Sequence, residues 1–381
     1  MSGALNHAVS TGLVLALALA ACSQGAVTVP VTPASLPEVA LDRKAETDRD
    51  LVVYSQNVYV GTDVDAVLAS PPDQVQTRLF AALGTFVATN WPERAAAMAD
   101  EIRRMAPDVI ALNEVTTLDV TGLEPYFQDT HVAFLPVLRA ALAVRHLDYV
   151  VAGLIADTDA NLNLAGPILR LQDFDVVLVR RGLAISDVRT GNYAARFTAD
   201  LGPAGSFEVK RGWVALTAST GQRSVRFVTT HFEPRETALE LQAAQAAELL
   251  SILNQSSDPV IIAGDLNTDP KEPAAISPYH QLLAAGFLDS WLERNGPRMG
   301  TGFTCCQNAD LRNPTSLLFK RIDFVMVRPD RHGRSSTLHP LDMSLFGDQL
   351  NERTVNGLWP SDHAGLVATM RWNQVGENIR H

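Results

Sequence analysis

Eight polar residues mark the places where apolar runs of this chain stop, or in one case sit inside such a run: Asn57, Glu114, His231, Asp265, Asn267, Asp323, Asp362 and His363. A strand buried on both faces cannot hold an unpaired carboxylate without a large penalty, whereas strand ends that converge in a cleft can. Four carboxylates, two amides and two imidazoles suit a hard divalent cation and a phosphoryl group. Mg²⁺ prefers oxygen ligands and usually takes one or two protein carboxylates, with water and substrate phosphate completing the shell. Mg²⁺ is therefore the expected cofactor, with Mn²⁺ or Ca²⁺ as alternatives. The sequence has no cluster of Cys and His at the short spacing of a structural zinc site.

Such residues need strands to carry them. Apolar runs predict strands at 51–54, 109–112, 149–151, 174–179, 213–216, 225–230, 260–263, 322–327 and 366–370, with a hairpin across Thr220-Gly221-Gln222. Helical spacing predicts helices over 91–106, stopped by Pro107, and over 132–146, 236–253 and 277–285. Strands and helices alternate without a composition break, which indicates one α/β domain over 49–373 and a tail at 374–381. The 381 residues are 46% hydrophobic and 19% charged, excluding a disordered chain. The net charge of −11 argues against a protein that coats nucleic acid by bulk electrostatics. An acidic chain can still cut phosphodiesters if a metal ion carries the local positive charge.

Six strings in one order, SQN at 55–57, LNEV at 112–115, TTHFEP at 229–234, GDLN at 264–267, RIDFV at 321–325 and PSDHAG at 360–365, resemble the endonuclease/exonuclease/phosphatase superfamily. The resemblance implies a four-layered αββα sandwich with two packed mixed sheets and a site at the edge where they meet. It also implies roles. Glu114 matches the principal metal-binding glutamate, Asn57 the asparagine supporting metal and phosphate, and Asp362 the aspartate close to the metal. Asp265 and Asn267 match the pair near the attacking water and phosphoryl oxygens. His363 matches the histidine on the scissile phosphate, Asp323 the aspartate that orients it, and His231 a histidine that abasic-site enzymes lack. The implied reaction is one-step hydrolysis: water activated by Asp265 or His363 attacks in line while the metal acts as a Lewis acid.

Residues 12–21 form an apolar run too short to span a bilayer, and it fits a signal-peptide core. Leu19-Ala20-Ala21-Cys22 resembles a bacterial lipobox, so a leader at 1–21, acylation of Cys22 and a linker over 22–48 are expected. The first eleven residues carry no Lys or Arg, which departs from that pattern and leaves an ordinary signal peptide as the alternative. The expected protein is thus a monomer, exported and lipid-anchored at the cell envelope. Its substrate is a nucleic acid or a phospholipid headgroup. The reading is a phosphodiesterase or nuclease, with a phospholipase C- or sphingomyelinase-like enzyme, or a phosphoinositide phosphatase, as the alternative. A catalytically silent binding lipoprotein is the remaining class.

Other positions give weaker signals. Asp63 and Asp65 read as a solvated loop, with a position facing the cleft as the alternative. Arg170, Arg211, Lys320 and Arg321 could supply positive charge to a phosphate or simply face solvent, and Trp213 reads as core. Thr116 to Arg170 is expected to supply loops beside the cleft. Cys305 and Cys306 are expected as free, largely buried thiols, with a vicinal disulfide as the alternative in an oxidising exported compartment, although its strained ring falls outside ordinary bridge geometry.

Overall fold

Unbroken apolar runs become strands covered on both faces, and their alternate residues enter different layers. In the computed structural model, residues 49–373 are described apart from 72, 164–166, 202–204, 274–276, 297–301 and 331–337. The expected leader, Cys22, the linker to residue 48 and the tail at 374–381 lie outside the described residues.

Elements are numbered in chain order. The larger sheet runs, in spatial order, β15 (Leu338–Phe346), β16 (Gly365–Trp372), β1 (Leu51–Asn57), β2 (Val109–Asn113), β6 (Ile168–Arg180), β5 (Tyr149–Asn163), β9 (Ser206–Val209) and β8 (Phe197–Asp200). On this sheet β3 (Thr117–Thr121) pairs with the first half of β6 and with β4 (Thr130–Ala133), while β2 pairs with the second half of β6. The smaller sheet runs β13 (Leu288–Asp289), β14 (Asp323–Arg328), β12 (Val260–Asp265), β11 (Ser224–Thr230), β10 (Gly212–Ser219) and β7 (Ile185–Asn192). The pairs β1–β2 and β11–β12 are parallel.

Side-chain alternation explains the layers. Val53, Val109, Val177, Phe227 and Ile261 meet in the core between the sheets. Their neighbours Tyr54, Ile110 and Leu178 face the other way, against α1 (Val64–Leu68), α2 (Val75–Ala88), α3 (Trp91–Met105) and α4 (Phe134–Val144). On the smaller sheet Val228 and Ile262 face outward against α5 (Arg235–Leu253) and α6 (Pro278–Ala284). A further short helix, α7 (Ser290–Asn295), follows β13. This is the four-layered αββα sandwich. Among the described residues no helix is long and apolar enough to cross a membrane.

The expected hairpin joins β10 to β11, with Ser219 opposite Ser224. Three expectations need correction. The helix over 132–146 begins only at Phe134, because Thr130–Ala133 is drawn into β4 by pairing with β3. The strand at 149–151 is the start of a fifteen-residue strand paired with β6 along its length. Consequently the stretch 116–170 flanks the cleft with strands β3 and β5 rather than loops.

Candidate active site

The site lies where strands of both sheets end on one edge. Parallel pairing sets Asn57, the last residue of β1, beside Asn113 of β2, and Glu114 follows at once. In the other sheet the end of β12 meets the start of β14, with Asp265 opposite Asp323. His231 follows β11, and Asp362 and His363 precede β16. All eight candidates are thereby drawn to one edge, although Asn57 and His363 lie at opposite ends of the domain in sequence.

Asp265 is the hub. One of its oxygens, Oδ2, accepts a hydrogen bond from Asn57 Nδ2 at 3.1 Å and lies 3.6 Å from His231 Nε2 and 3.8 Å from His363 Nδ1. The other, Oδ1, accepts from the Asn267 backbone N–H at 2.9 Å. The same Asn57 amide donates to Glu114 Oε1 at 2.9 Å, so one side chain bridges Glu114 and Asp265, while the other Glu114 oxygen accepts from the Val60 N–H at 2.8 Å. Asn113 ties the sheets together: its Oδ1 accepts from the Asp265 N–H at 3.0 Å and its amide donates to Asp175 at 2.6 Å. Beside them Gly264 admits no side chain, since a Cβ there would overlap the Thr230 carbonyl oxygen.

Several residues hold strained backbone here. Tyr59, Glu114, Arg211 and Asn267 have φ of 62°, 59°, 42° and 49°. L-residues enter this left-handed region at a cost of roughly 1–2 kcal/mol each, and surrounding packing must enforce it. Part of that packing is Arg94, a fully buried side chain on α3. It donates to the carbonyls of Val58, Tyr59, Thr89 and Pro360, pinning the segment after β1 to the segment that carries Asp362. Burial lowers its pKa to about 10, and the charges of Asp362, Tyr59 and Glu114 oppose that fall.

The carboxylates crowd one another. Burial and the neighbouring Asp323 push Asp265 up to about 7, against the pull of His363. Asp362 is likewise pushed up to about 7, by burial and by Glu114. The Asp323 Oδ1 atom is buried and has no hydrogen-bond partner. An oxygen-rich site with excess buried negative charge and an orphaned oxygen fits a divalent cation. Asp265, Asp323 and His363 each offer a ligand atom within 4.8 Å of the others.

The two histidines differ. Burial works against charge on His363, yet Asp323, Asp362 and Asp265 outweigh it and hold the imidazole well above the usual histidine range. Its Nδ1 is 2.8 Å from Asp323 Oδ2. His231 is pushed well below that range by burial and by Arg211. Its Nδ1 lies 2.8 Å from Arg211 Nη1, and its Nε2 lies 3.1 Å from Asn267 Nδ2, which also donates to the Phe232 carbonyl.

Of the weaker signals, Arg211 belongs to the site. Burial disfavours its charge, but Glu233, Asp157 and Asp173 more than compensate and raise its pKa. Lys320 lines the pocket. Arg170 instead pairs with Asp159 on the surface and Arg321 with buried Asp289. Trp213 packs partly buried against the outer core of the smaller sheet. The 63–65 segment is not a loop but the start of α1: Asp63 caps it by accepting from the Ala66 N–H, and both aspartates line the pocket. Cys305 and Cys306 are joined as a vicinal disulfide rather than free thiols. The Cys305 backbone is held to Lys320 and Phe319, and both cysteines form part of the pocket wall.

Sequence reasoning passed over the buried acids Asp157, Asp173 and Asp175. Burial raises all three, Asp175 to about 7. Their signal was present, since aspartates alternating through the apolar run 173–179 must enter one face of a covered sheet.

The profile of the Endonuclease/Exonuclease/phosphatase family matches residues 55–363. The chain belongs to this family, and it is an enzyme of the metal-dependent phosphoester hydrolase kind. Among solved structures it is similar to an endonuclease/exonuclease/phosphatase from Beutenbergia cavernae, at 22% identity over 86% of this chain and 72% of that one, TM-score 0.53. A humanized D. rerio TDP2 shares 17% identity over 84% of this chain and 99% of its own, TM-score 0.52. A mannosyl-6-phosphatase from Bacteroides thetaiotaomicron shares 16% over 84% and 99%, TM-score 0.51. No curated protein matches the sequence.

Proposed function

We propose that the chain is a Mg²⁺-dependent hydrolase of phosphoester bonds acting outside the cytoplasm, held at the cell envelope through Cys22. The observation that carries the chemistry is the shared Asp265 oxygen, which has Asn57 and both histidines within 3.8 Å. Glu114 and Asp362, with Asn57 in support, would hold the cation. When bound it supplies Lewis acidity and neutralises charge on the phosphoryl oxygens.

The protein's own groups do the rest. Asp265, lifted to about 7, is the group to accept a proton from water as the water oxygen bonds to phosphorus. His363, kept protonated by Asp323, covers the oxygen that departs when the ester P–O bond breaks. Neutral His231 and Asn267, held to each other, line the pocket where the phosphoryl oxygens would sit.

Hydrolysis of bis(4-nitrophenyl) phosphate tests the reading. Activity is expected with Mg²⁺, lost in EDTA, restored by excess Mg²⁺, and reduced about 10²-fold or more in Asp265→Asn. No hydrolysis with Mg²⁺, Mn²⁺ or Ca²⁺ would sink it.

A further inference from the structure

The pocket that holds the catalytic groups does not end with them. It is a cavity of about 470 Å³, within the span of ~300–1,000 Å³ that small-molecule sites occupy. One flank is the outer half of the β5–β6 pair, and its register shows how the wall changes. Opposite residues across this antiparallel pair are Thr158 and Asp173, then Ala160 and Leu171, then Leu162 and Leu169. All six line the pocket, and the residues between them do not. Successive pairs on one face are about 7 Å apart along the strand. The wall is polar beside Glu114 and becomes purely aliphatic over the next two steps.

The neighbouring elements agree. Leu118 of β3 is registered with Leu171, extending the apolar strip sideways. Helix α2 adds Leu79, Leu83 and Phe86 to the lining, one face of a helix by spacing. Beyond Asp173 this face of β5–β6 carries no charged group. Protein interiors normally close such surfaces against each other at near-crystalline density. Here the leucines of sheet and helix belong to one buried apolar cluster, and the pocket that holds the active site reaches in among them. A cavity so lined binds apolar molecules, while the polar edges of a nucleobase would find no partners there.

We propose that the substrate is a phosphoester bearing a hydrocarbon chain, and that the chain lies in this apolar arm between β5–β6 and α2. The proposal rests on the phosphoester-hydrolase reading and deepens it. The net reaction adds water across one P–O bond: the water oxygen joins phosphorus, and the ester oxygen leaves with its electron pair and takes a proton. The pocket-lining Lys320 has its ammonium over the ring of the exposed Phe319.

Non-hydrolysable n-alkylphosphonates from ethyl to dodecyl, kept monomeric, test the arm with the full chain in Mg²⁺. Their inhibition constants against bis(4-nitrophenyl) phosphate hydrolysis should fall about three- to fourfold per added methylene, then level off once the chain reaches the Leu162–Leu169 pair. In Leu162→Gln that dependence should collapse. Ala160→Phe, which blocks the arm with bulk instead of polarity, serves if the first variant does not fold. Inhibition independent of chain length, with the aryl ester still hydrolysed, would overturn the proposal and leave the hydrolase reading intact. Calorimetric affinity that rises with chain length, without hydrolysis of any ester, would support the arm and remove the hydrolase reading. Phosphorus NMR of monomeric lysophospholipid against phospholipid vesicles then distinguishes a dissolved source from a bilayer.

Discussion

The Nδ1 of His363 lies 2.8 Å from Oδ2 of Asp323, and the contact crosses from one sheet to the other. Asp323 opens β14 of the smaller sheet, while His363 leads into β16 of the larger. This leaves Nε2 as the ring atom able to face a substrate. Replacing His363 with Gln should lower kcat by ~10²–10⁴ if it transfers a proton in the transition state. Asp323→Asn keeps a side chain of the same shape but removes the charge that orients the ring, so a smaller fall in kcat with KM nearly unchanged is expected. Steady-state kinetics on bis(4-nitrophenyl) phosphate separates the two. A change confined to KM would contradict the assignment.

Arg211 neutralises Glu233, Asp157 and Asp173 from a buried position. Removing one partner of a buried ionic group strands the others, typically at about 3–5 kcal/mol. Arg211→Met should show a loss of this size in urea unfolding. Arg211→Lys should recover part of it, because an ammonium restores charge but cannot hold Glu233 and His231 at once with a planar fork.

Asp100 on α3 accepts two hydrogen bonds from Arg145, just past α4, at 2.9 and 2.7 Å. The Arg145 guanidinium holds this carboxyl below its ordinary value. A depressed folded-state pKa stabilises above the unfolded value and loses that contribution as pH falls through the folded one. The Asp100 side chain is 50% exposed, so solvent screening limits the effect to about 0.2–1 kcal/mol. The difference in unfolding free energy between the parent and Asp100→Asn should be present at neutral pH and vanish in strong acid. A gap that persists in acid would refute the link.

Gly264 abuts the Thr230 carbonyl between β11 and β12, the strands that deliver His231 and Asp265. Gly264→Ala must push those strands apart, at a cost of about 1–3 kcal/mol. On the proposed mechanism hydrolysis should fall further than thermal stability does, because the spacing of His231 and Asp265 changes directly. Equal stability and activity to the parent would show that the strands give way freely.

The central strands were legible because burial on both faces leaves an unbroken apolar run, as at Val260–Ala263 and Val109–Leu112. The eight candidates stood out because each interrupts or ends such a run, and the fold brings them to one edge. The outer parts of the larger sheet were not. In β5 the stretch from Ala156 to Asn163 mixes Asp, Thr and Asn with Ala and Leu, since one face lines a pocket and the other meets solvent. Helix α2 carried a usable signal in Val75, Leu79, Leu83 and Phe86, all buried, but its stripe lies among many other apolar residues. Arg94 and Arg211 look like any surface cation in sequence. Only the fold shows that the first meets four carbonyls and the second three acids.

The outer half of the β5–β6 pair, from Thr158 and Asp173 onward, is flanked by β3 and β9 and carries none of the six strings. Because its side chains alternate with period two, lengthening both strands by a pair of residues would keep every side chain on its present face and extend the pocket wall by about 7 Å. The depth of the cleft can therefore be reset in fixed increments, like a notched gauge, while the hydrolytic end stays as it is.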